Sequence, residues 1–355
     1  MNDGRRAGKL RAMKFFSALL TALALAGSAG RAQAAFINGQ NYVAIADWAH
    51  ANGFDGYTLE HGDKIVLTNR TSRLFFDVNS HDAEINGVHV RLSYAVANVK
   101  GVSLIAQRDV DTALRPLVFT QKPSAKKITT ICIDPGHGGK DPGNRVGTFF
   151  VRNEKTYTLA LALELRQQLR KAGFNVILTR EKDTYPELAV RPDLANRKGA
   201  DLFVSLHFNS FTRDPKSVQG LETYCITPVG AASSNAQGEG SNHSASAANR
   251  VENKSLLLAY QVQKSLVKNL GAEDRSVRRA RFEVLRSAEM PAILIEGGYM
   301  THPVEGKKIF DAKYRQQMAA SIVKGILAYQ KLTAPPPPKT KPADTNKVAS
   351  AKGGK

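Results

Sequence analysis

The chain reads as an α/β protein with a mainly parallel six-stranded sheet flanked by helices, preceded by a small α+β domain. Three observations lead there. From residue 128 onward, short apolar runs alternate with amphipathic helical stretches, the pattern of repeated strand and helix units. Between residues 36 and 120 the runs are shorter, are broken by Asn-Gly and Asn-Ser turns, and include a single helical stretch. The 355 residues are 42% hydrophobic and 23% charged, a balance that allows two packed cores.

Residues 1–35 carry a basic segment with Arg5, Arg6, Lys9, Arg11 and Lys14, an apolar stretch from Phe15 to Ala26, and then Ala32-Gln33-Ala34. That is the layout of a secretory signal peptide, starting at Met1 or Met13 and cleaved after Ala34 or Ala35. A spanning helix needs about 20 apolar residues, more than this stretch supplies, so no stable membrane span is expected after cleavage. The mature protein is therefore expected to be secreted, in the periplasm or associated with the cell wall.

Residues 36–120 form the expected small module: a strand and helix within INGQNYVAIADWAHANGFDG, then strands in KIVLTN, RLFFDVN, AEINGVHVRLS and VSLIAQRDV. No chemistry stands out in it. Residues 121–127, QKPSAKK, read as a linker. The expected catalytic domain, residues 128–333, has strand candidates at 128–134, 175–180, 201–209, 221–227, 282–285 and 292–296. Its first helix is capped by Asn153, turns Leu159, Ala162, Leu163, Leu165 and Leu169 inward, and ends at Gly173. Later helices are expected at 194–198, 255–269 and 314–332. The segment 230–250 is too polar and small-residue-rich to pack and reads as a surface loop with a solvated His243. Residues 334–355 are a disordered Pro/Lys-rich tail.

Residues 1–35 carry +5 and residues 336–355 carry +4 of the formal charge of +19, which leaves +10 for the body. A body this basic suits polyanionic surroundings, whether nucleic acid, anionic lipid headgroups or carboxylate-rich wall polymer, and charge alone does not choose among them. Neither an aromatic-studded strand platform nor a recognition-helix motif is present, so nucleic acid is not an expected partner. Cys132 and Cys225 each fall inside a predicted strand and read as buried inert thiols, with a bridge between neighbouring strands as the alternative.

The chemistry is expected to begin in ICIDPGHGGKDPG (131–143), where an apolar strand enters a turn rich in Gly and Pro that carries Asp134 and His137. A phosphate-binding loop is excluded, because Gly139-Lys140 is followed by Asp141 where Ser or Thr is required. In an open parallel sheet, ligands bind at the carboxyl edge of the strands, where the following helices also begin. His137 follows the first strand, Glu154 opens the first helix, His207 lies near the end of SLHFNS and Glu296 ends AILIE, so all four are expected at one edge. Two imidazoles and two carboxylates suit a catalytic zinc site, with three ligands, an open position and a general base. Taken singly, each has a plainer reading: His207 as a satisfied core histidine, Glu154 as a first-turn glutamate favoured by the helix dipole. Glu296 is harder to assign to structure alone, because a carboxylate after Ala-Ile-Leu-Ile is desolvated at a cost.

DPGHGG (134–139), N-E-K (153–155), DLFVSLHFNS (201–210) and PAILIEGGYM (291–300), with VILTR, ELAVRPDLAN, GLETY and FEVLR between them, resemble the secreted zinc-dependent N-acetylmuramoyl-L-alanine amidases of the amidase 3 type. The resemblance spans residues 128–332. It implies that His137, Glu154 and His207 bind one Zn2+ and that Glu296 is the catalytic carboxylate. It further implies cleavage of peptidoglycan between N-acetylmuramic acid and L-alanine, for wall remodelling or daughter-cell separation. Arg281 and Arg286 are candidate contacts for stem-peptide carboxylates, with solvated surface as the alternative. Family members often have one Gly and a Phe after the catalytic Glu, where this chain has Gly297-Gly298-Tyr299. The 230–250 segment stands where some members place a self-inhibitory helix, which leaves gating by an activator protein open. The module, with two Ile-Asn-Gly turns and the stretch from Asp109 to Leu117, is loosely similar to the N-terminal domain of copper amine oxidases, implying binding or spacing and not copper catalysis. The rival readings are a zinc peptidase acting on other amides and a catalytically silent wall-binding protein.

Overall fold

The computed structural model describes residues 34–120, 123, 126–235 and 244–334. Outside the described residues lie 1–33 of the expected signal peptide, 121, 122, 124 and 125 of the expected linker, 236–243 with His243, and 335–355 of the expected tail.

Turn chemistry shapes the first part. Strands β1 (Ala34–Ile37) and β2 (Gln40–Ala44) are joined by Asn38-Gly39, both at positive φ, as a two-residue hairpin requires. After the helix Ile45–Ala51, strands β3 (Gly56–Glu60), β4 (Lys64–Thr68), β5 (Arg73–Asp77), β6 (Asp82–Ile85) and β7 (Val88–Arg91) form an antiparallel meander. Strands β8 (Ala97–Val99) and β9 (Val102–Ala106) complete a separate sheet in the order β1-β2-β9-β8. The strand read through QRDV stops at Ala106, because residues 107–118 wind into consecutive helical turns.

The second part contains β10 (Thr130–Pro135), a short hairpin of β11 (Arg145–Val146) and β12 (Arg152–Asn153), β13 (Asn175–Leu178), β14 (Leu202–Asn209), β15 (Leu221–Ile226), β16 (Asp274–Ala280) and β17 (Ala292–Tyr299). The long helices are Glu154–Lys171, Glu252–Leu270 and Ala312–Thr333. The first turns Leu161, Leu165 and Leu169 inward at helical spacing, and Gly173 follows it at φ +89. Asn153 occupies the cap position, yet its side chain makes no capping bond. Backbone carbonyls take over instead: the Glu154 N–H donates to Asn144 O (2.8 Å) and the Lys155 N–H to Pro142 O (3.1 Å).

The expected mainly parallel six-stranded sheet is corrected, among the described residues, to a mixed sheet of eleven strands, in the order β13-β10-β14-β17-β15-β16-β7-β6-β5-β4-β3. Two causes combine. Strand β15 pairs antiparallel with β17, and β16 carries the hydrogen-bonding edge onward to β7 through Val277 and Val90. The strand expected at 282–285 is instead the helix Glu283–Arg286, and the strand of that region is β16, whose Asp274-Arg275-Ser276-Val277-Arg278-Arg279 hides the usual apolar run.

Side chains alternate across the sheet with period two. Ile131, Ile133, Val204, Leu206, Ile293 and Ile295 join one large core, under the three long helices. Cys132, Phe203, Tyr224, Ile226, Ala292 and Leu294 join a smaller one on the other face. The large core continues into the first part through Phe76, Ile85 and Val90. Tyr260 Oη donates to Ile85 O (2.8 Å), Tyr94 Oη to Gly230 O (2.7 Å) and Arg279 Nη2 to Thr112 O (2.6 Å) across the same junction. Cys132 and Cys225 are free and buried on opposite faces, which no bridge could span, and burial pushes both thiols up. Among the described residues no helix is long and apolar enough to cross a membrane.

Candidate metal centre

Near the end of β10, Asp134 is fully buried and accepts hydrogen bonds from Thr179 Oγ1 (2.6 Å), Ser205 Oγ (2.7 Å) and Arg191 Nη1 (2.9 Å). The chain then turns through Gly136, where a Cβ would lie 2.3 Å from the His207 ring, so glycine is required by close approach. His137 itself sits at φ +61. Two buried arginines hold the loop by its carbonyls. Arg180 donates to Pro135 O and Gly136 O, and Arg191 to Pro135 O and His137 O. Removing Arg191 would leave Asp134 as an uncompensated buried charge beneath the loop. Arg191→Ala is expected to lower the unfolding free energy by about 3–5 kcal/mol. Urea titration measures this, and a change below about 1 kcal/mol would mean that the pair does not hold the loop.

The held loop aims His137 inward. Its Nδ1 lies 2.7 Å from Asp141 Oδ2, and Asp141 is oriented by the Gly143 N–H (3.0 Å). Its Nε2 lies 3.0 Å from Glu154 Oε1 and 3.1 Å from His207 Nδ1, which is itself 3.1 Å from Glu154 Oε1. Glu154 is buried at the start of its helix, where the Phe208 N–H donates to Oε1 and the Asn144 N–H to Oε2. His137, Glu154 and His207 thus form a group that could hold a metal ion, with one donor atom from each within 4.8 Å of the others.

The donors fit a zinc ion on chemical grounds. A carboxylate on His137 Nδ1 keeps the proton there and leaves the Nε2 lone pair pointing at the group. Three lone-pair atoms about 3 Å apart repel unless a cation or proton lies between them. Tetrahedral ligands at about 2.0–2.1 Å from zinc would stand roughly 3.3 Å apart, close to the separations found. Burial alone would push the Glu154 carboxyl up, yet hydrogen bonds and charge from His137 and His207 hold it well below the usual carboxylate range. Burial works to lower the His137 imidazole, and the Glu154 and Asp141 carboxylates outweigh it and raise it.

Glu296 stands beside this group, because β14 and β17 pair in parallel with His207 opposite Glu296. On its other side Glu296 is opposite Glu222 of β15. Its Oε2 is enclosed and has no hydrogen-bond partner. Desolvation, and then the negative charges of Glu154 and Glu222, raise its carboxyl well above the ordinary value.

All four expected residues are therefore brought together. Arg281 and Arg286 are not. Because β15 runs antiparallel to β17 and β16 parallel to β15, Arg281 follows the end of β16 at the opposite edge of the sheet. There it donates to Pro228 O (3.2 Å) and Ala231 O, while Arg286 is exposed and lies 3.4 Å from Glu283. Sequence reasoning missed Asp141 and Glu222. Asp141 could have been found as a carboxylate within the same glycine-rich loop as His137; Glu222 had no comparable signal, since its place beside Glu296 depends on strand direction.

Comparison with known proteins places this part of the chain in a family. A family profile described as N-acetylmuramoyl-L-alanine amidase matches residues 131–328, which include all four residues. The N-acetylmuramoyl-L-alanine amidase AmiA of Escherichia coli (strain K12) is 33% identical over 235 residues, covering 59% of this chain and 79% of the relative. AmiC of Neisseria meningitidis serogroup B, of the same description, is 34% identical over 220 residues, covering 56% of this chain and 52% of the relative. Among solved structures, the N-acetylmuramoyl-L-alanine amidase from Clostridium difficile 630 is 36% identical, covers 58% of this chain and 98% of its own, and superposes with a TM-score of 0.48. With more than half of its length inside the profile and its histidines and glutamates gathered at one sheet edge, the chain belongs to the N-acetylmuramoyl-L-alanine amidase family.

Proposed function

We propose that this protein is a zinc-dependent hydrolase that cleaves the amide between N-acetylmuramic acid and L-alanine in peptidoglycan. The observation that carries the proposal is the convergence of His137, Glu154 and His207 next to a half-buried carboxylate, Glu296, one of whose oxygens is enclosed and unpartnered. When bound, zinc supplies Lewis-acid polarisation of an amide carbonyl and acidifies water toward a pKa of about 7. The chain's own residues do the rest. Asp141 holds the His137 tautomer, the Phe208 and Asn144 amides hold the Glu154 carboxylate, and Glu296 takes a proton from water and returns it to the leaving nitrogen. Burial, and then the charges of Glu154 and Glu222, raise the Glu296 carboxyl, which strengthens it as a proton acceptor.

The basic, apolar and small-residue order of residues 1–35 supports export, and a body charge of +10 suits an anionic wall. The 36–120 module serves binding or spacing in this reading, attached through β7 and the junction bonds to the catalytic part. Product analysis on purified peptidoglycan tests the assignment. Stem peptides with a free alanine amino terminus are the expected products; cleavage within the stem would make the protein a peptidase, and no cleavage a silent wall-binding protein.

A further inference from the structure

Strand β16 departs from a regular strand at one place. Leu221 of β15 is opposite Asp274, and Thr223 is opposite Val277, so three steps along β16 face two along β15. The extra residue is accommodated at Ser276, whose φ of +89 is costly for a residue other than glycine. The bulge is held from three sides: Asp274 accepts from the Ser276 N–H (2.9 Å), from Gln263 Nε2 (2.8 Å) and from the His89 N–H of β7 (2.9 Å).

Its consequence is one of parity. Residues three apart on a regular strand face opposite sides of a sheet. With the bulge, Arg275 and Arg278 both face the side of Glu222, Tyr224 and Glu296. Arg275 Nε donates to Glu222 Oε1 (3.0 Å) and its guanidinium covers the Tyr299 ring, 5.4 Å from the centroid. Arg278 Nε donates to Arg275 O (3.0 Å), and among the described residues its Nη atoms have no acceptor. Gly298, at φ +108, precedes Tyr299, whose Oη reaches Glu222 Oε1 (3.2 Å).

Read along the carboxyl edge, the order is His137, His207, Glu296, Glu222 and then the arginine pair. We propose that Arg275 and Arg278 form the subsite that recognises a carboxylate of the stem peptide, the role for which Arg281 and Arg286 are misplaced. This rests on the amidase reading, in which Glu296 returns the proton to the leaving nitrogen and the peptide side of the scissile amide therefore runs toward β15 and β16. Two strand spacings separate β17 from β16, about 10 Å. An extended peptide covers about 3.3–3.6 Å per residue, so the arginines meet a carboxylate two to three residues beyond the scissile nitrogen. Glu222 fixes the Arg275 fork, and the Arg278 Nη edge is left to the ligand.

The test compares kcat/KM on two synthetic muramoyl tripeptides that differ only in whether the carboxylates beyond L-alanine are free or amidated. The wild type is expected to favour the free acid by about 10- to 100-fold, carried mainly by KM. Arg275→Gln with Arg278→Gln should bring the ratio close to one. Arg278→Gln alone, whose Nη atoms hold nothing else in place, should lower it partway, and Arg281→Gln should retain the wild-type ratio. A ratio near one in the wild type, or one unchanged in the double variant, overturns the subsite alone. Failure of the wild type to cleave either compound would overturn the amidase reading and the subsite with it.

Discussion

Glu296→Gln is expected to retain zinc while losing roughly 10²- to 10⁴-fold in kcat, the contribution of a positioned proton-transfer group. Glutamine keeps the shape and cannot exchange the proton. The same substitution is expected to stabilise the metal-free protein. Glu296 has an enclosed, unpartnered oxygen and a carboxyl raised by desolvation and by Glu154 and Glu222. A carboxyl whose pKa is higher folded than unfolded binds more protons in the native state, so stability falls as pH rises above the unfolded value of about 4.3. Glutamine escapes that loss. Its advantage is expected to vanish near pH 4 and to reach about 1–3 kcal/mol by pH 7–8. Urea titrations at the two pH values, beside zinc content and turnover, measure both effects. Turnover within tenfold of the wild type would remove Glu296 from the chemistry.

Chelation is expected to abolish activity and zinc alone to restore it. Loss of the ion should also destabilise the fold around the loop, since a ligand at a thousand times its Kd contributes about 4 kcal/mol. His207→Ala should reproduce the chelated state without rescue, because it removes one of three donors. Asp141→Asn should act more mildly, lowering zinc affinity about 10- to 100-fold, because it disturbs only the hydrogen bond that orients His137. Equilibrium dialysis against zinc separates these cases. A chelated sample with full activity would exclude a metal role for the three residues.

The difference between the two arginine pairs shows where sequence reasoning stops. Arg281 and Arg286, the candidate contacts for stem-peptide carboxylates, stand at the two ends of Arg-Phe-Glu-Val-Leu-Arg, shortly before Glu296 along the chain. Strand direction sends them to the far edge and sets Arg275 and Arg278 toward the near one, where a single bulge at Ser276 turns both to the same face. Neither feature leaves a local mark. A strand pairs equally well in either direction as far as its own residues show, and Asp-Arg-Ser-Val-Arg-Arg lacks the apolar alternation of an ordinary strand.

What the sequence by itself determined is what short-range physics controls. Apolar runs ending in glycine-rich turns marked β10, β14 and β17, helical spacing marked the long helices, and the rule that loops at the carboxyl edge carry ligands put His137, Glu154, His207 and Glu296 in one place. Only the tertiary structure decided which strands lie side by side and in which direction. That choice joined β7 to β16 and made the sheet mixed, set Glu222 beside Glu296, and gave the enclosed carboxylate its raised pKa. The physical reason is that lateral pairing and desolvation are sums over residues distant in the chain, whereas period and turn chemistry are properties of a few neighbours.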